Sequence, residues 1–407
     1  MTQSPAWRII VWMCAAHVAS MLGFSAYATL LPRLQDEWGM NNSEAGFISG
    51  MFFAGYMAAV PVLTGLTDRM DARRIYLASS LVAAVALTGF ALLVEGVKSA
   101  ALLQLVAGAG IAGTYMPGLR ALTDNIEGTR AQSRAVAFYT AFFGLGSSLS
   151  ILLSGIIADA LGWRWAFALT SAGPVLAGLM VMRGLPPRPP HSLHPGRALD
   201  FRPVLASREV RPYILGYAVH CWELFGSRSW LVAFVVFAQG LQFAGASPAL
   251  SAVTIAAVAN VFGPPASIYG NEIAMRHGRE RLIWKTMLAS GLLTCALGFV
   301  SFLPLFALAA LIMLHMCLIM SDSSALTAGV VTRAGEQIRG ATMAVHSMLG
   351  FGAGFVSPLV FGVVLDLAGG KTRPLAWGLA FTTLGAGAIV MAGFIRARAR
   401  EGTAPES

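Results

Sequence analysis

Charge is what this chain has least of. Only 12% of its 407 residues are Asp, Glu, Lys or Arg, against about 25% in ordinary soluble domains. That deficit excludes the string of soluble domains which the length alone would suggest. Cysteine is scarce too. Cys14, Cys221, Cys295 and Cys317 all fall within apolar stretches, so free, buried thiols are expected and a disulfide framework is not. Nothing reads as a Walker loop, a dinucleotide-binding glycine motif or a nucleophile elbow, because no segment reads as a strand to carry one. His220 and Glu223 form an H-x-x-E pair without the second histidine of a zinc helix. Neither a metal nor a cofactor is expected, and the chain is not expected to be an enzyme.

Apolar sequence is abundant. Hydrophobic residues make up 56% of the chain, and the mean hydropathy is +0.68. Apolar blocks long enough to cross a bilayer recur along the whole length. Six are placed near 9–32, 44–66, 75–94, 99–120, 135–158 and 164–182. Six more lie near 212–237, 248–270, 282–303, 305–329, 341–365 and 375–395. The block 9–32 is too long for a signal-peptide core and lacks a small-residue cleavage pattern, so it reads as an uncleaved first helix. The fold class implied is an all-α integral membrane protein with twelve transmembrane helices.

The net charge of +9 invites a nucleic-acid reading, but the positions of the charges exclude it. With the N-terminus assigned to the cytoplasm, 22 of the 28 basic residues fall in cytoplasmic loops and ends. Only Arg33, Lys98, Arg164, Lys371 and Arg373 fall on the other side, and Arg228 lies inside a span. Cationic loops beside span ends are held on the cytoplasmic face, so both termini are expected there. The short loops and Gly/Ala/Arg-rich composition suggest a bacterial inner membrane.

Between the two sets of spans, Arg183–Arg211 holds six prolines and six arginines. Such a segment stays extended and solvated, although its second part, Phe201–Val210, has the mix of an interfacial segment. It divides the chain into bundles 1–182 and 212–407, with 183–211 as a cytoplasmic linker. The halves look like repeats. His17, Gly23 and Tyr27 align with His220, Gly226 and Trp230 at a constant offset, and Pro61 aligns with Pro265. Ala121-Leu122-Thr123 matches Ala325-Leu326-Thr327, and Gly155, Asp159 and Gly162 match Gly362, Asp366 and Gly369. Parallel repeats of this kind are a recurring transporter design.

The loop after the second span reads Gly65-Leu-Thr-Asp68-Arg69-Met-Asp71-Ala-Arg73-Arg74. It resembles the signature between helices 2 and 3 of the major facilitator superfamily, with Asp71 where that pattern has its second glycine. The counterpart after the eighth span, Gly270 to Arg281, keeps glycine and basic residues but loses the acidic one. The resemblance covers all twelve spans and implies two pseudo-symmetric six-helix bundles. It also implies that Asp68 caps the start of span 11, near Gly340–Thr342, while Arg69 and Arg73 lock the cytoplasmic face. A carboxylate at a helix N-terminus is favoured by the dipole and free amides. The alternative is that these charges only set topology.

Two departures from the family pattern weigh on mechanism. In span 4, Gln104 stands where the family often has an arginine linked to proton coupling, ahead of Gly108, Gly110 and Gly113. Arg120, further along, is either a substitute or a snorkelling side chain. In span 5 the glycine series around Gly144 and Gly146 lacks the Gly-Pro pair of antiporters. Span 11 spaces Gly350, Gly354, Pro358 and Gly362 four apart, giving a small-residue face that suits close helix packing.

Span 7 carries His220-Cys-Trp222-Glu223-Leu-Phe-Gly226-Ser227-Arg228-Ser-Trp230. A carboxylate deep in a span is expensive unless paired, wetted or protonated, and marks a functional position by default. At ~100° per residue, His220, Glu223 and Ser227 share one face, whereas Arg228 sits ~140° from Glu223. Family helices 1, 4, 7 and 10 line the central path, which makes His17, Tyr27, His220, Glu223, Arg228, Trp230, His315 and Asp322 the candidates for substrate binding or proton coupling. Gly65, Asp68, Arg69, Arg73 and Arg120 are the candidates for gating. For Glu223 and Arg228 a structural ion pair is the bland alternative. For His17 and His315 it is a packed, hydrogen-bonded histidine, and for Asp322 a helix-local polar cluster.

The expected function is secondary transport by alternating access, with a small solute, protons and the lipid bilayer as partners, no nucleic acid, and a monomeric chain. A planar guanidinium in low dielectric suits carboxylate or phosphate, which favours an organic anion. Efflux of amphipathic compounds and a non-transporting membrane sensor are the alternatives.

Overall fold

A computed structural model describes residues 5–188, 201–243, 248–335 and 339–401. The linker stretch 189–200, with Arg197, lies outside the described residues. Among those described the chain is helical, with no strand. In order come α1 (Pro5–Ser20), α2 (Ala26–Glu37), α3 (Asn42–Leu66), α4 (Ala72–Leu93), α5 (Val97–Thr123), α6 (Thr129–Leu161), α7 (Trp163–Thr170) and α8 (Ala172–Gly184). After a short α9 (Arg202–Ala206) follow α10 (Arg211–Phe243), α11 (Ala252–His277), α12 (Arg279–Leu297), α13 (Leu305–Ser321), α14 (Ser323–Arg333), α15 (Arg339–Leu367) and α16 (Pro374–Glu401). Among the described residues eleven helical segments are long and apolar enough to cross a membrane. The chain divides into two compact units, Met1–Trp38 with Met51–Ala198, and Gly39–Gly50 with Leu199–Ser407. The start of α3 therefore belongs with the second unit.

The expected first span, 9–32, is not continuous: α1 and α2 are separated by Met21–Ser25. Within the break the backbone uses short i→i−3 bonds, such as Phe24 N to Met21 O at 2.9 Å. A broken helix needs new partners for the backbone groups it frees, because lipid offers none. α6 supplies them. Ser25 N donates to Ser150 Oγ at 2.9 Å, and the Ser25 and Ser147 hydroxyls are 3.1 Å apart. Gly23 lies at the break where a Cβ would meet Leu87 Cδ1 at 2.4 Å. The repeat is not copied here, since α10 runs unbroken through Gly226.

Small residues bring helices of the first unit into backbone contact. A Cβ at Gly108 would lie 1.8 Å from Phe52 O, and one at Gly110 would lie 2.5 Å from Ala83 N. The span-4 glycines thus serve close packing of α5 on α3 and α4. The core at one end of this unit gathers Met13, Tyr76, Leu122, Tyr139 and Val181.

In the second unit the comparable core holds Tyr213, Ile214, Ile283, Met287, Leu326 and Val330. It also takes in Val204 and Val210, at 1% and 0% exposure. The segment Phe201–Val210, whose mix of residues suits an interface, buries its two valines in protein and leaves Leu205 56% exposed. Arg202, Arg208 and Arg211 face outward around them. The tenth span is also interrupted: Asp322 separates α13 from α14, and its carbonyl accepts from Leu326 N at 2.8 Å.

Candidate functional site

One face of α10 carries His220, Glu223 and Ser227, and each finds a partner on a neighbouring helix. His220 Nδ1 lies 2.8 Å from Asp322 Oδ1 at the α13–α14 break. From α12, Ser290 Oγ donates to Glu223 Oε2 at 3.1 Å and Thr294 Oγ1 donates to Oε1 at 2.5 Å. His315 of α13 sits with Nδ1 3.1 Å from Thr294 Oγ1 and Nε2 3.2 Å from Ser227 Oγ. His220, Glu223 and Asp322 are each 2% exposed and His315 is 0% exposed. Four of the five polar candidates expected on spans 7 and 10 therefore fall into two clusters, His220 with Asp322 and Glu223 with His315 through Thr294.

Proton counting constrains the second cluster. Thr294 has one hydroxyl proton and three neighbours able to accept it: Glu223, the Ser290 carbonyl at 2.8 Å and His315 Nδ1. When that proton points at an ionised Glu223, the Thr294 oxygen is left to accept from a protonated His315 Nδ1. His315 Nε2 then accepts from Ser227. With Glu223 protonated, the same chain can run in reverse, from the acid through Thr294 and His315 to Ser227. The row of groups is polar, closed and able to reverse its polarity.

Arg228 points elsewhere. Cys221, Phe225 and Arg228 recur at helical spacing on another face of α10, where Phe225 stacks on Phe351 of α15 at 5.6 Å. The Nε and Nη2 atoms of Arg228 are buried and have no hydrogen-bond partner among the described residues. No ion pair joins Arg228 to Glu223 among them. Trp230 is fully buried. Its Nε1 donates to Pro358 O at 3.0 Å, and its ring stacks on Phe361 at 5.3 Å. That indole is part of the packed core between α10, α15 and α16.

The structure adds His346, which sequence reasoning passed over. Its ring stacks on Tyr217 at 3.7 Å, and Tyr217 in turn lies 5.8 Å from the His220 ring. Nε2 of His346 is 3.5 Å from Thr327 Oγ1. A lone histidine in the apolar stretch Ala344-Val345-His346-Ser347 carried the same signal as Glu223. Restricting the search to the path-lining helices of the family hid it.

The first unit presents its candidates by themselves. His17 is 1% exposed and stacks on Tyr139 at 4.3 Å, with Tyr115 at 5.5 Å and Phe143 at 6.2 Å. Both its ring nitrogens are buried without a hydrogen-bond partner among the described residues. Tyr27 is buried edge-on to Phe90 at 6.2 Å. In the motif loop, Asp68 Oδ1 lies 3.7 Å from Arg120 Nη1. Arg120 Nε donates to Asp124 at 3.0 and 3.1 Å, so Arg120 stands between two carboxylates near the end of α5. Asp71, in the glycine position, caps α4 by accepting from Arg73 N at 3.0 Å. Its carboxylate also holds the Arg73 guanidinium, whose Nη1 donates to Leu185 O at 2.6 Å. Arg69 is exposed, and Gly65 has open space around it. No group of three or more His, Cys, Asp or Glu is placed to hold a metal among the described residues.

A sequence family described as the Major Facilitator Superfamily matches residues 13–349. The chain belongs to the Major Facilitator Superfamily. Protein spinster homolog 3 of Danio rerio is 23% identical over 230 residues, which cover 55% of this chain and 45% of that protein. The benzoate transport protein of Acinetobacter baylyi is 24% identical over 187 residues, 44% of this chain and 39% of its own length. The match thus spans less than half of each relative. In fold the likeness extends across the chain. A bacterial homologue of the human lysosomal transporter Spinster, solved inward-facing and occupied, superposes with a TM-score of 0.77. That alignment covers 98% of both chains at 13% identity, so it speaks to the fold alone. Fold and family are those of major facilitator transporters and not of enzymes, and the chain is a multi-pass membrane protein.

Proposed function

We propose that this chain is a secondary transporter that moves a small organic anion by alternating access, coupled to protons, in a bacterial inner membrane with both termini cytoplasmic. The observation that carries the anion reading is Arg228. Its buried Nε and Nη2 lack partners among the described residues, and a guanidinium edge in that state is matched by a carboxylate or similar planar anion. The name of the Acinetobacter baylyi benzoate transport protein is in keeping with that substrate class. Glu223 is the proposed proton site, because Thr294 and His315 give its proton a hydrogen-bonded route and buried carboxylates in spans are rarely idle. His220 with Asp322, 2.8 Å apart, forms a histidine–carboxylate pair on the same face of α10.

Anion arrival at Arg228 neutralises a positive charge in the second unit and makes protonation of Glu223 easier. Proton and substrate then bind with positive linkage, as symport requires. His17 and Tyr27 are assigned to substrate selection. The loop residues Gly65, Asp68, Arg69, Arg73 and Arg120 are assigned to gating. The test is uptake of labelled benzoate, as a probe organic anion, into proteoliposomes with and without an imposed pH gradient. Gradient-driven accumulation that is lost in Arg228→Ala is the expected result. Movement of cationic dyes in place of the anion would replace this reading with efflux of amphipathic compounds.

A further inference from the structure

α1 and α8 run antiparallel. Trp12 Nε1 donates to Met180 O at 2.8 Å, while nearer the other end a Cβ at Gly173 would lie 2.4 Å from Ala19 O. The start of α1 and the end of α8 are therefore at the same level. Between them lies a groove of about 700 Å³. At its polar end stand Arg8 and Arg183, both exposed and neither with an acidic partner among the described residues. Leu176, Leu179, Met180 and Arg183 follow the i, i+3, i+4, i+7 spacing of one helix stripe. They extend the groove for ~10 Å along the helix, at 1.5 Å per residue, away from that polar end.

The groove has a built wall. Trp12 is 42% exposed, yet its indole N–H is committed to the Met180 carbonyl. Gly184 makes this possible, since a Cβ there would lie 1.9 Å from Trp12 Nε1. The tryptophan is thus a fixed amphipathic plate laid from the middle of α1 against the last turns of α8, with the amphipathic character of the aromatic belts at membrane interfaces. Leu176, at 54% exposure, opens the apolar end to the outside. In a bilayer a surface of this kind is covered by lipid, so the question the residues answer is which headgroup.

We propose that this groove binds an anionic phospholipid, its phosphate held by Arg8 and Arg183 and an acyl chain lying along Trp12, Leu179 and Leu176. Two guanidiniums without an acidic partner among the described residues, at the mouth of an apolar groove, match one phosphate diester above one hydrocarbon chain. A zwitterionic headgroup would bring a cation into the same space. Both arginines lie at span ends assigned to the cytoplasmic face by charge asymmetry, the leaflet where basic pockets between helices capture acidic headgroups. A free phosphate would use the arginines but leave the apolar stripe uncovered, which is why the lipid is the assigned occupant. The inference does not depend on what the protein transports.

The test is native mass spectrometry of the full chain in detergent, titrated with phosphatidylglycerol, phosphatidylcholine or inorganic phosphate. Retention of phosphatidylglycerol over phosphatidylcholine is expected. Arg8→Gln with Arg183→Gln should weaken it about fivefold per arginine. Arg8→Lys with Arg183→Lys, which keeps both charges, should retain most of it and shows that changes at these positions leave the fold intact. A control pair of equal charge, Arg276→Gln with Arg281→Gln, should leave retention unchanged. Equal loss in the control pair, equal retention of the two lipids, or inorganic phosphate displacing the lipid completely would overturn the proposal.

Discussion

Asp366 caps a helix that begins more than three hundred residues earlier: its Oδ2 accepts from both the backbone N–H of Ser43, at 2.8 Å, and the Ser43 hydroxyl, at 2.5 Å. Its Oδ1 accepts from Asn42 N at 3.1 Å and Asn42 Nδ2 at 2.7 Å. Both partners lie in the second unit, where the first turn of α3 meets the last turn of α15. The carboxylate adds to the local cap, in which Asn41 Oδ1 accepts from Glu44 N at 2.8 Å, by taking the two N–H groups that this cap leaves free. Its repeat counterpart Asp159 has no such role and sits 81% exposed near Arg33.

Asp366→Asn keeps the shape but places an amide N–H₂ against donors. Loss of a cap costs about 1 kcal/mol, and more where the acceptor was charged. Thermal unfolding in detergent should drop by about 1–3 °C, with Asp366→Ala at the larger end. An unchanged midpoint for both variants would mean that the local cap, in which Glu44 N donates to Asn41 Oδ1 at 2.8 Å and Asn41 N to Glu44 Oε2 at 3.0 Å, holds the start of α3 without Asp366.

Two serines on α6 should differ in consequence. Ser150→Ala leaves the Ser25 N–H of the α1–α2 break without its acceptor, and an unsatisfied buried donor costs about 1–3 kcal/mol. Ser147→Ala removes only a hydroxyl–hydroxyl contact, worth about 0.5–1.5 kcal/mol. Melting curves should rank Ser150→Ala below Ser147→Ala. The reverse order would show that the break is held by Gly23 packing and not by this donor.

Glycine substitutions separate packing from gating. A Cβ at Gly362 would lie 2.1 Å from Asn42 O, and one at Gly46 would lie 2.2 Å from Pro358 O. Backbone cannot rotate away as a side chain does, so alanine at either position forces α3 and α15 apart and destabilises by about 1–3 kcal/mol. Gly65, by contrast, has nothing within 4 Å of its Cβ position. Gly65→Ala should purify as a monodisperse protein with an unchanged or higher melting temperature, since alanine is the better helix former. A loss of transport in that well-folded variant would assign the motif glycine to motion.

Long apolar blocks made the spans and the family legible, because lipid imposes helix length and loop charge directly on sequence. The features that escaped depend on partners far away in the chain. Nothing in Met21–Ser25 announces a break, since those residues are apolar or small and the serines that stabilise it lie on α6. Val204 and Val210 read as an interfacial pattern because their burial is decided by Tyr213, Ile214 and Leu326. Asp71 looked like damage to a glycine motif, whereas it supplies the cap of α4. Glu223 and His220 were legible as costly polar groups in an apolar span, but the serine and threonine of α12 that surround Glu223 were not. Ser and Thr are common in spans and carry no signal until a helix face is known.

The hydroxyl of Thr294 is the sharpest test of the proton route, since it touches both Glu223 and His315 and changes no charge. Thr294→Val keeps the volume and removes the only group that joins the two among the described residues. If protons reach Glu223 through His315, this variant should lose pH-driven accumulation of the probe anion while still exchanging it across the membrane. Glu223→Gln should give the same pattern with a permanently neutral side chain. Ser290→Ala removes a longer bond, 3.1 Å to Glu223 Oε2, and should reduce accumulation only modestly. Arg228→Lys should act on a different parameter, raising the concentration of anion needed for half-maximal uptake, because a point charge does not replace a planar fork. Counterflow and pH-jump uptake, measured side by side in one proteoliposome preparation, separate the two classes. Full accumulation in Thr294→Val combined with loss in Glu223→Gln would keep the acid as the coupling site and route its proton by another path. Full accumulation in both would move the coupling to the His220–Asp322 pair.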